Sequence, residues 1–323
     1  MTYKFEDAAS LSLAGFETYA YGFALMLGCW AGLGLLYLLA KKDARTFKVA
    51  ALSGLMALPL GLILSRLLYC LADPGFAPFI SLSNILDISS GGFAMYGALA
   101  GAVLAAIAGA KLGGVNPKRM LDLTAPALAA FLIPARLGEG FTALGISRPL
   151  TTQWLADSFL ALRDEYDAYL RTYLLEAAIA ALLLIILLKR LRKKSWQGST
   201  FMLGCLLYGV TQTLMESLRF DGHMRYSFIG IQQILSAALF SATLIVLAVR
   251  LLKKNRKGNW LPILSLALLP LVLGALIGVE FLVDRSGFGK LFSYALYLAV
   301  LAVPAVFGIL MLKREEHFGQ GID

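Results

Sequence analysis

Residues 21–40 read YGFALMLGCWAGLGLLYLLA, and residues 41–48, directly after them, read KKDARTFK. The first stretch holds no charged side chain. As a helix rising 1.5 Å per residue it is about 30 Å long, the thickness of a bilayer's hydrocarbon core. The basic cluster that closes it is the flank expected on the cytoplasmic side of a membrane span. The same pattern recurs along the chain. Nine spans are expected, at about 17–40, 49–72, 91–111, 119–139, 172–190, 198–218, 228–251, 260–283 and 290–312. Lys41, Lys42, Arg45 and Lys48 follow span one; Lys111, Lys118 and Arg119 follow span three. Lys189, Arg190, Arg192, Lys193 and Lys194 follow span five; Lys253, Lys254, Arg256 and Lys257 follow span seven; Lys313 and Arg314 follow span nine. The segment 73–90 has no Lys or Arg, and 140–171 is mixed and acidic. The fold class expected is therefore an all-α polytopic membrane protein of about nine transmembrane helices, N-terminus outside and C-terminus cytoplasmic.

Composition supports that class. The 323 residues are 59% hydrophobic and 15% charged, with a mean hydropathy of +0.75, whereas soluble domains carry about 25% charged residues. The net charge of +9 is explained by the span-flanking loops, so no nucleic-acid partner is expected. Cys29, Cys70 and Cys205 sit in apolar stretches without metal-ligand spacing, and the two histidines are far apart, so no metal site is expected. The N-terminal run reads as a span, not a cleaved signal. Two outer segments are longer than turns. Residues 74–90, with Pro74, Phe76, Pro78 and Phe79, read as an interfacial or re-entrant piece. Residues 150–171, with Trp154, Phe159, Tyr166 and Tyr169 among charges, read as an amphipathic helix at the outer interface.

A charge within a membrane helix costs at least about 2.5–3.5 kcal/mol on insertion scales, so each needs a reason. Arg66 lies in span two, Arg136 and Glu139 at the outer end of span four, Glu176 just inside span five, and Glu216 and Arg219 at the outer end of span six. Tyr21 and Tyr96 begin spans one and three on the same side. Every intramembrane charge of the first seven spans thus falls in the outer half. Singly, each reads as a snorkelling side chain or a helix-to-helix ion pair. Together they describe a polar cavity able to hold an anionic headgroup, because arginine pairs bidentately with phosphate. Glu139 sits three residues after Arg136 and Glu216 three before Arg219, a spacing that suits either an ion pair or a general base beside a phosphate site.

These residues carry a resemblance to the prolipoprotein diacylglyceryl transferase family over about residues 17–250. Tyr21-Gly22 looks like the family's YG, and Gly61 to Tyr69 (GLILSRLLY) is similar to its G-x-R-x-x-Y. Gly91 to Gly97 (GGFAMYG) resembles GG-x-x-x-HG, and Arg136 to Pro149 (RLGEGFTALGISRP) resembles the signature RIGNFINGE-x-x-GRP. Glu176 resembles the glutamate of QLYE. Tyr208 to Arg219 (YGVTQTLMESLR) resembles YG-x-x-R-x-x-x-EFFR, and Gln233 to Ser236 matches the start of the family's last helix.

The resemblance implies a multi-pass enzyme of the bacterial inner membrane that needs no cofactor. It moves the diacylglyceryl group of phosphatidylglycerol to the thiol of a prolipoprotein lipobox cysteine, with glycerol 1-phosphate leaving. It also implies a headgroup site of Tyr21, Arg66, Arg136, Arg148 and Arg219, and reaction residues Tyr96, Arg136, Glu139, Tyr208 and Glu216. Residues 1–251 would form the family's seven-helix body, and 252–323 two additional helices with a short cytoplasmic tail. The sequence departs from the pattern where a thiol would be activated. Tyr96 stands for the motif's histidine, Glu139 for the signature's asparagine, Leu144 for its glutamate, Ser147 for its last glycine and Gln212 for the arginine of YG-x-x-R. His223, four residues beyond Arg219, is a further candidate base. Two other readings follow from the same residues: a non-catalytic or specialised paralogue that binds anionic lipid or a lipidated partner, and a lipid transporter using the polar cavity.

Overall fold

The computed structural model describes residues 10–13, 16–87, 91–142, 144–193, 195–221, 224–254, 260–285 and 289–320. The chain is all-α, with short antiparallel ribbons in its connections. Its helices are α1 (Ala20–Ala40), α2 (Ala44–Ala72), α3 (Leu82–Leu86), α4 (Met95–Gly113), α5 (Pro117–Gly138), α6 (Gln153–Ala156), α7 (Thr172–Leu191), α8 (Ser199–Leu218), α9 (Ile231–Lys254), α10 (Trp260–Arg285) and α11 (Lys290–Gln320). Each of the nine expected spans is a long helix. Seven are long and apolar enough to cross a membrane: α1, α2, α4, α5, α9, α10 and α11. The other two, α7 and α8, are 20 residues each and lie outside that set.

The helices invert the pattern of a soluble protein. Large apolar side chains also point outward, as at Leu55 (72% exposed), Leu112 (73%) and Leu271 (67%), while charged residues such as Arg66, Arg136 and Glu280 are buried. Such surfaces suit lipid, where close packing of small residues drives helix association.

The chain forms two compact units. The first comprises Met1–Tyr69, Asp87–Lys189 and Leu218–His223. Within it α1 packs along α5 through a buried stripe at every fourth residue, Ala20, Ala24, Gly28, Gly32, Leu36 and Ala40. A Cβ on Gly28 would stand 2.7 Å from the carbonyl oxygen of Phe131, so the two backbones touch. α4 meets α2 in the same way: a Cβ on Gly97 would lie 2.3 Å from the Leu64 carbonyl oxygen and one on Gly101 2.5 Å from the Gly61 nitrogen. Asp43 caps α2, accepting from the Arg45 amide at 3.2 Å and from the Thr46 hydroxyl.

The amphipathic helix expected over 150–171 is not formed. Only Gln153–Ala156 is helical, and the rest folds with residues 146–149 into a three-stranded antiparallel sheet. Its strands are β3 (Ile146–Pro149), β4 (Ala161–Arg163) and β5 (Ala168–Arg171), in the order β3-β5-β4. The physical reason is local. The Asp164 carboxylate accepts from the amides of Tyr166 (2.9 Å) and Asp167 (2.6 Å), an Asx turn that reverses the chain. Trp154, Phe159 and Tyr166 are exposed around the sheet. Residues 10–13 and 16–19, placed before and within the first expected span, form a second antiparallel pair.

The second unit comprises Cys70–Leu86, Arg190–Ser217 and Met224–Asp323. Here α9, α10 and α11 pack together. α8 joins them where a Cβ on Gly209 would meet the Ser236 carbonyl oxygen at 2.9 Å and one on Gly308 would meet Leu206. The segment expected to be interfacial holds a 3-10 turn, Ala77–Phe79, and α3, with Phe79, Leu82 and Leu86 exposed. A two-residue turn at Ser227-Phe228 links the strands Arg225–Tyr226 and Ile229–Gly230 into a hairpin that leads into α9.

Candidate functional site

In the first unit, α5 ends at Gly138 and a 3-10 turn, Glu139–Phe141, follows. The Thr142 amide and hydroxyl both bond to the Glu139 carbonyl, at 2.9 and 2.7 Å, closing that turn. Gly145 then takes φ +73°, a left-handed conformation that glycine adopts without penalty, and the chain enters β3. Residues 219–220 run alongside β3, with Ser147 bridged to Arg219 and the Phe220 amide donating to the Ile146 carbonyl at 2.8 Å. The sheet edge thereby delivers Arg219 to the end of α5.

What gathers there is a closed charge network. Arg136 donates to Glu139 Oε1 through Nη1 at 2.7 Å and pairs with Glu176 Oε2 through Nε at 2.9 Å. Arg219 Nη1 stands 3.0 Å from Glu139 Oε2 and 3.1 Å from Glu176 Oε1. Its Nε and Nη2 both reach Asp221 Oδ2, at 3.0 and 2.8 Å, and the same oxygen accepts the Gly145 amide at 2.7 Å. Arg136, Glu139, Glu176 and Arg219 are each 2–3% exposed. Several kcal/mol of desolvation per buried ion are offset only because each charge meets opposite charges with hydrogen-bond geometry. Arg136 in the last turn of α5 also complements that helix's dipole. The phenol of Tyr21 feels all four of these charges, and its ring lies 3.2 Å from where a Gly138 Cβ would be.

Three carboxylates face two guanidinium groups. Each acid is aligned on an arginine, and the described residues offer no set of three acids for a metal.

Of the residues singled out from the sequence, the structure brings Tyr21, Arg136, Glu139, Glu176 and Arg219 together. Arg148 on β3 lies with its guanidinium 4.2 Å over the Phe220 ring and is half-buried. Arg66 stands in a different setting. It donates to the carbonyls of Gly91, Gly92 (3.1 Å) and Asp87 (2.9 Å), and its guanidinium lies 5.9 Å from the Tyr69 ring centre. Gly91 and Gly92 both have positive φ, and a Cβ on Gly92 would collide with the Tyr69 ring. Arg66 therefore folds the GG loop onto α2. Tyr96, half-buried in the first turn of α4, leaves the same crossing: Ser65 Oγ donates to the Ala94 carbonyl at 2.9 Å, and Gly97 packs on Leu64-Ser65. His223 lies outside the described residues.

In the second unit Glu216 accepts from Gln212 Nε2 at 3.2 Å, and Tyr208 is one turn before Gln212 on α8. Two residues escape the sequence reading. Asp221 sits two positions after Arg219, a spacing that only the turn brings into register. Glu280, 2% exposed on α10, is a span charge beyond the seven helices that the family resemblance covers.

Helices of this length and apolarity, enclosing a ring of ion-paired arginines and glutamates, define a multi-pass membrane protein with a buried polar centre. The profile of the prolipoprotein diacylglyceryl transferase family matches residues 8–278, and the chain belongs to that family. The phosphatidylglycerol–prolipoprotein diacylglyceryl transferase of Lactobacillus acidophilus is 29% identical over 214 residues, 64% of this chain and 75% of its own length. The enzymes of the same name from Finegoldia magna and Clostridium novyi are 25% and 26% identical, over 74% and 78% of this chain and 94% and 97% of their own lengths.

Proposed function

We propose that the chain is a diverged phosphatidylglycerol–prolipoprotein diacylglyceryl transferase of a bacterial inner membrane. It crosses nine times, with its N-terminus outside, its polar centre in the outer half of the bilayer and residues 252–323 added to a seven-helix body. The observation that carries this reading is the Arg136–Glu139–Glu176–Arg219 network at the positions of the family's signature residues.

In the proposed reaction a cysteine thiolate attacks the glyceryl methylene carbon bonded to the phosphate oxygen. The C–S bond forms as the C–O bond breaks, and glycerol 1-phosphate leaves with the electron pair. The thiolate is the nucleophile, so the thiol proton goes to a base, for which Glu139 and Glu216 are candidates. Tyr96 supplies a hydroxyl that donates to a phosphate or ester oxygen, and Tyr208 on α8 is a further candidate reaction residue. Arg148, half-buried on the sheet edge, makes first contact with the phosphate. Arg136 and Arg219 stand behind it, ion-paired with Glu139, Glu176 and Asp221, and exchange part of that pairing for the leaving phosphate as its charge develops; Arg66 shapes the GG loop beside Tyr96.

One observation favours a second reading. Tyr96 stands where the resemblance sets the family's histidine, which fits a non-catalytic paralogue that binds anionic lipid. Purified protein with phosphatidylglycerol and a lipobox peptide tests the choice. Transfer of diacylglyceryl to the peptide, lost in Arg148→Ala and Arg219→Ala, supports the enzyme. Retained phosphatidylglycerol without transfer to any of several thiol peptides supports the binder.

A further inference from the structure

The second unit buries a polar cluster of its own. Gln233, in the first turn of α9, donates through Nε2 to Glu280 Oε2 on α10 and to Tyr297 Oη on α11, each at 2.7 Å. Its Oε1 accepts the Gly230 amide at 3.2 Å. Glu280 is 2% exposed and Tyr297 1%. With Nε2 bonded to Glu280 and Tyr297 and Oε1 to the Gly230 amide, the Gln233 amide is held one way round: nitrogen toward α10 and α11, oxygen toward Gly230.

The consequence reaches the hairpin. Arg225, paired across the ladder with Gly230, stands 3.8 Å from Glu280 Oε1 and donates to the Phe228 carbonyl at 2.9 Å. One carboxylate thus faces both strands of the hairpin: it is hydrogen-bonded to Gln233, and Arg225 lies in looser ion-pair range of its other oxygen. Gly230 in turn faces Glu216: a Cβ added there would lie 3.7 Å from Glu216 Oε2. From the other side, Tyr294 on α11 donates to the carbonyl of Ser217, the residue after Glu216, at 3.1 Å.

We propose that Glu280 and Tyr297 are positioning residues that fix Gln233 and the Arg225–Gly230 hairpin against Glu216, so that α10 and α11 are part of the working site. The proposal rests on reading Glu216 as a reaction residue. The last two helices then have a role: they replace water or lipid at the outer end of α9 with a fixed acceptor pair. A buried carboxylate in an apolar span is costly, and here it meets Gln233 through one oxygen and faces Arg225 with the other.

The test uses the full-length protein in nanodiscs, as wild type, Glu280→Gln, Glu280→Asp and Tyr297→Phe, with two readouts. The first is amide exchange of the 224–230 segment. The second is transfer from phosphatidylglycerol to a lipobox peptide, with kcat and KM separated. Glu280→Gln frees the Gln233 amide to flip. Exchange of the 224–230 segment should then rise at least about tenfold, with exchange in α1 and α5 unchanged. kcat should fall by a similar factor while the lipid KM stays within about twofold, the pattern of an interaction used in the reaction and not in binding. Glu280→Asp should recover part of the loss, and Tyr297→Phe, which removes one acceptor of two, should lie between. Unchanged exchange of the hairpin in Glu280→Gln overturns the proposal. So does faster exchange with wild-type kcat, which would leave Glu280 a packing role alone. An inactive wild type counts against the transferase reading, and the exchange readout then decides by itself whether Glu280 holds the hairpin.

Discussion

Arg219 and Glu176, 43 residues apart in sequence, meet at 3.1 Å with both side chains almost wholly enclosed. Glu176 also takes Arg136 at 2.9 Å through its other oxygen, so this one carboxylate ties the start of α7 to both arginines. Removing it leaves two buried guanidinium groups to share Glu139 and Asp221. Breaking a buried pair on one side costs about 3–5 kcal/mol. Glu176→Ala should therefore lower the thermal midpoint in detergent sharply. Glu176→Gln, which keeps one acceptor and the side-chain volume, should lose less. Equal midpoints for wild type and Glu176→Ala would show that the network does not hold the fold.

Gly145 offers a sharper probe of the same centre. Its φ is +73°, and a Cβ would lie 2.8 Å from the Tyr173 Cβ and 3.0 Å from Glu139 Oε2. The left-handed conformation alone costs a side chain about 1–2 kcal/mol, and displacement of Glu139 adds to it. Gly145→Ala should destabilise the protein and reduce transfer together. Gly34 on α1 is the control, since nothing lies within 4 Å of its added Cβ; Gly34→Ala should leave both unchanged. Similar behaviour of the two variants in thermal unfolding would refute the steric argument.

The helices were legible because each is a charge-poor stretch bounded by lysines and arginines, as Tyr21–Ala40 is by Lys41 and Lys42. The network was legible as far as helical spacing reaches: Arg136 and Glu139 share a face, and their ion pair at 2.7 Å follows from i, i+3 geometry. Asp221 was not, because its role depends on Gly145 turning β3 back toward residues 219–220, a contact between distant segments. The sheet over 146–171 was hidden for a related reason. Its exposed aromatics suit an interfacial helix as well as a strand, and the side-chain turn at Asp164 decides between them. Arg66 reads as a phosphate ligand by type, yet its donors face carbonyls of a loop that only two positive-φ glycines can build.

Asp43 gives a pH-dependent contribution outside the membrane. The Thr46 hydroxyl bound to its carboxylate, together with the Arg45 and Thr46 amides, holds its pKa below the ordinary value of 3.8. A depressed pKa in the folded protein means that the cap stabilises above the unfolded value and is lost as pH falls through the folded one. Asp43→Ala should melt below wild type at neutral pH by the modest amount expected of a lost cap. The two curves should converge on acidification below that ordinary value. A gap that persists at the lowest pH reached would assign the effect to packing instead.

Orientation is tested in a background with Cys29, Cys70 and Cys205 replaced by alanine. Lys193→Cys lies in the basic loop after α7, and Glu165→Cys in the exposed turn between β4 and β5. An impermeant thiol reagent applied to intact cells should label Glu165→Cys and leave Lys193→Cys unlabelled until the membrane is permeabilised. Labelling of both before permeabilisation would reject the proposed topology.

The proposed reaction chemistry turns on Tyr96, which the motif resemblance sets at the family's histidine and which lies at the crossing of α4 and α2. A tyrosine hydroxyl, with an ordinary pKa of about 10, is a weak base at neutral pH but a good hydrogen-bond donor. If it donates to the phosphate or ester oxygen as the C–O bond breaks, Tyr96→Phe should lower kcat with little change in the lipid KM, because the interaction strengthens only in the transition state. Glu139→Gln keeps the shape of the network and removes one charge, so it should also impair the chemical step. Tyr96→His returns a group with an ordinary pKa near 6.5 to that position. It should raise the rate at neutral pH and shift the pH profile toward the histidine range, if thiol activation is what the substitution gave up. Rates measured with phosphatidylglycerol and a lipobox peptide decide among these roles. A wild-type rate unchanged by Tyr96→Phe and by Glu139→Gln would remove both residues from the chemistry and leave the proton to Glu216, beside the hairpin that Glu280 holds.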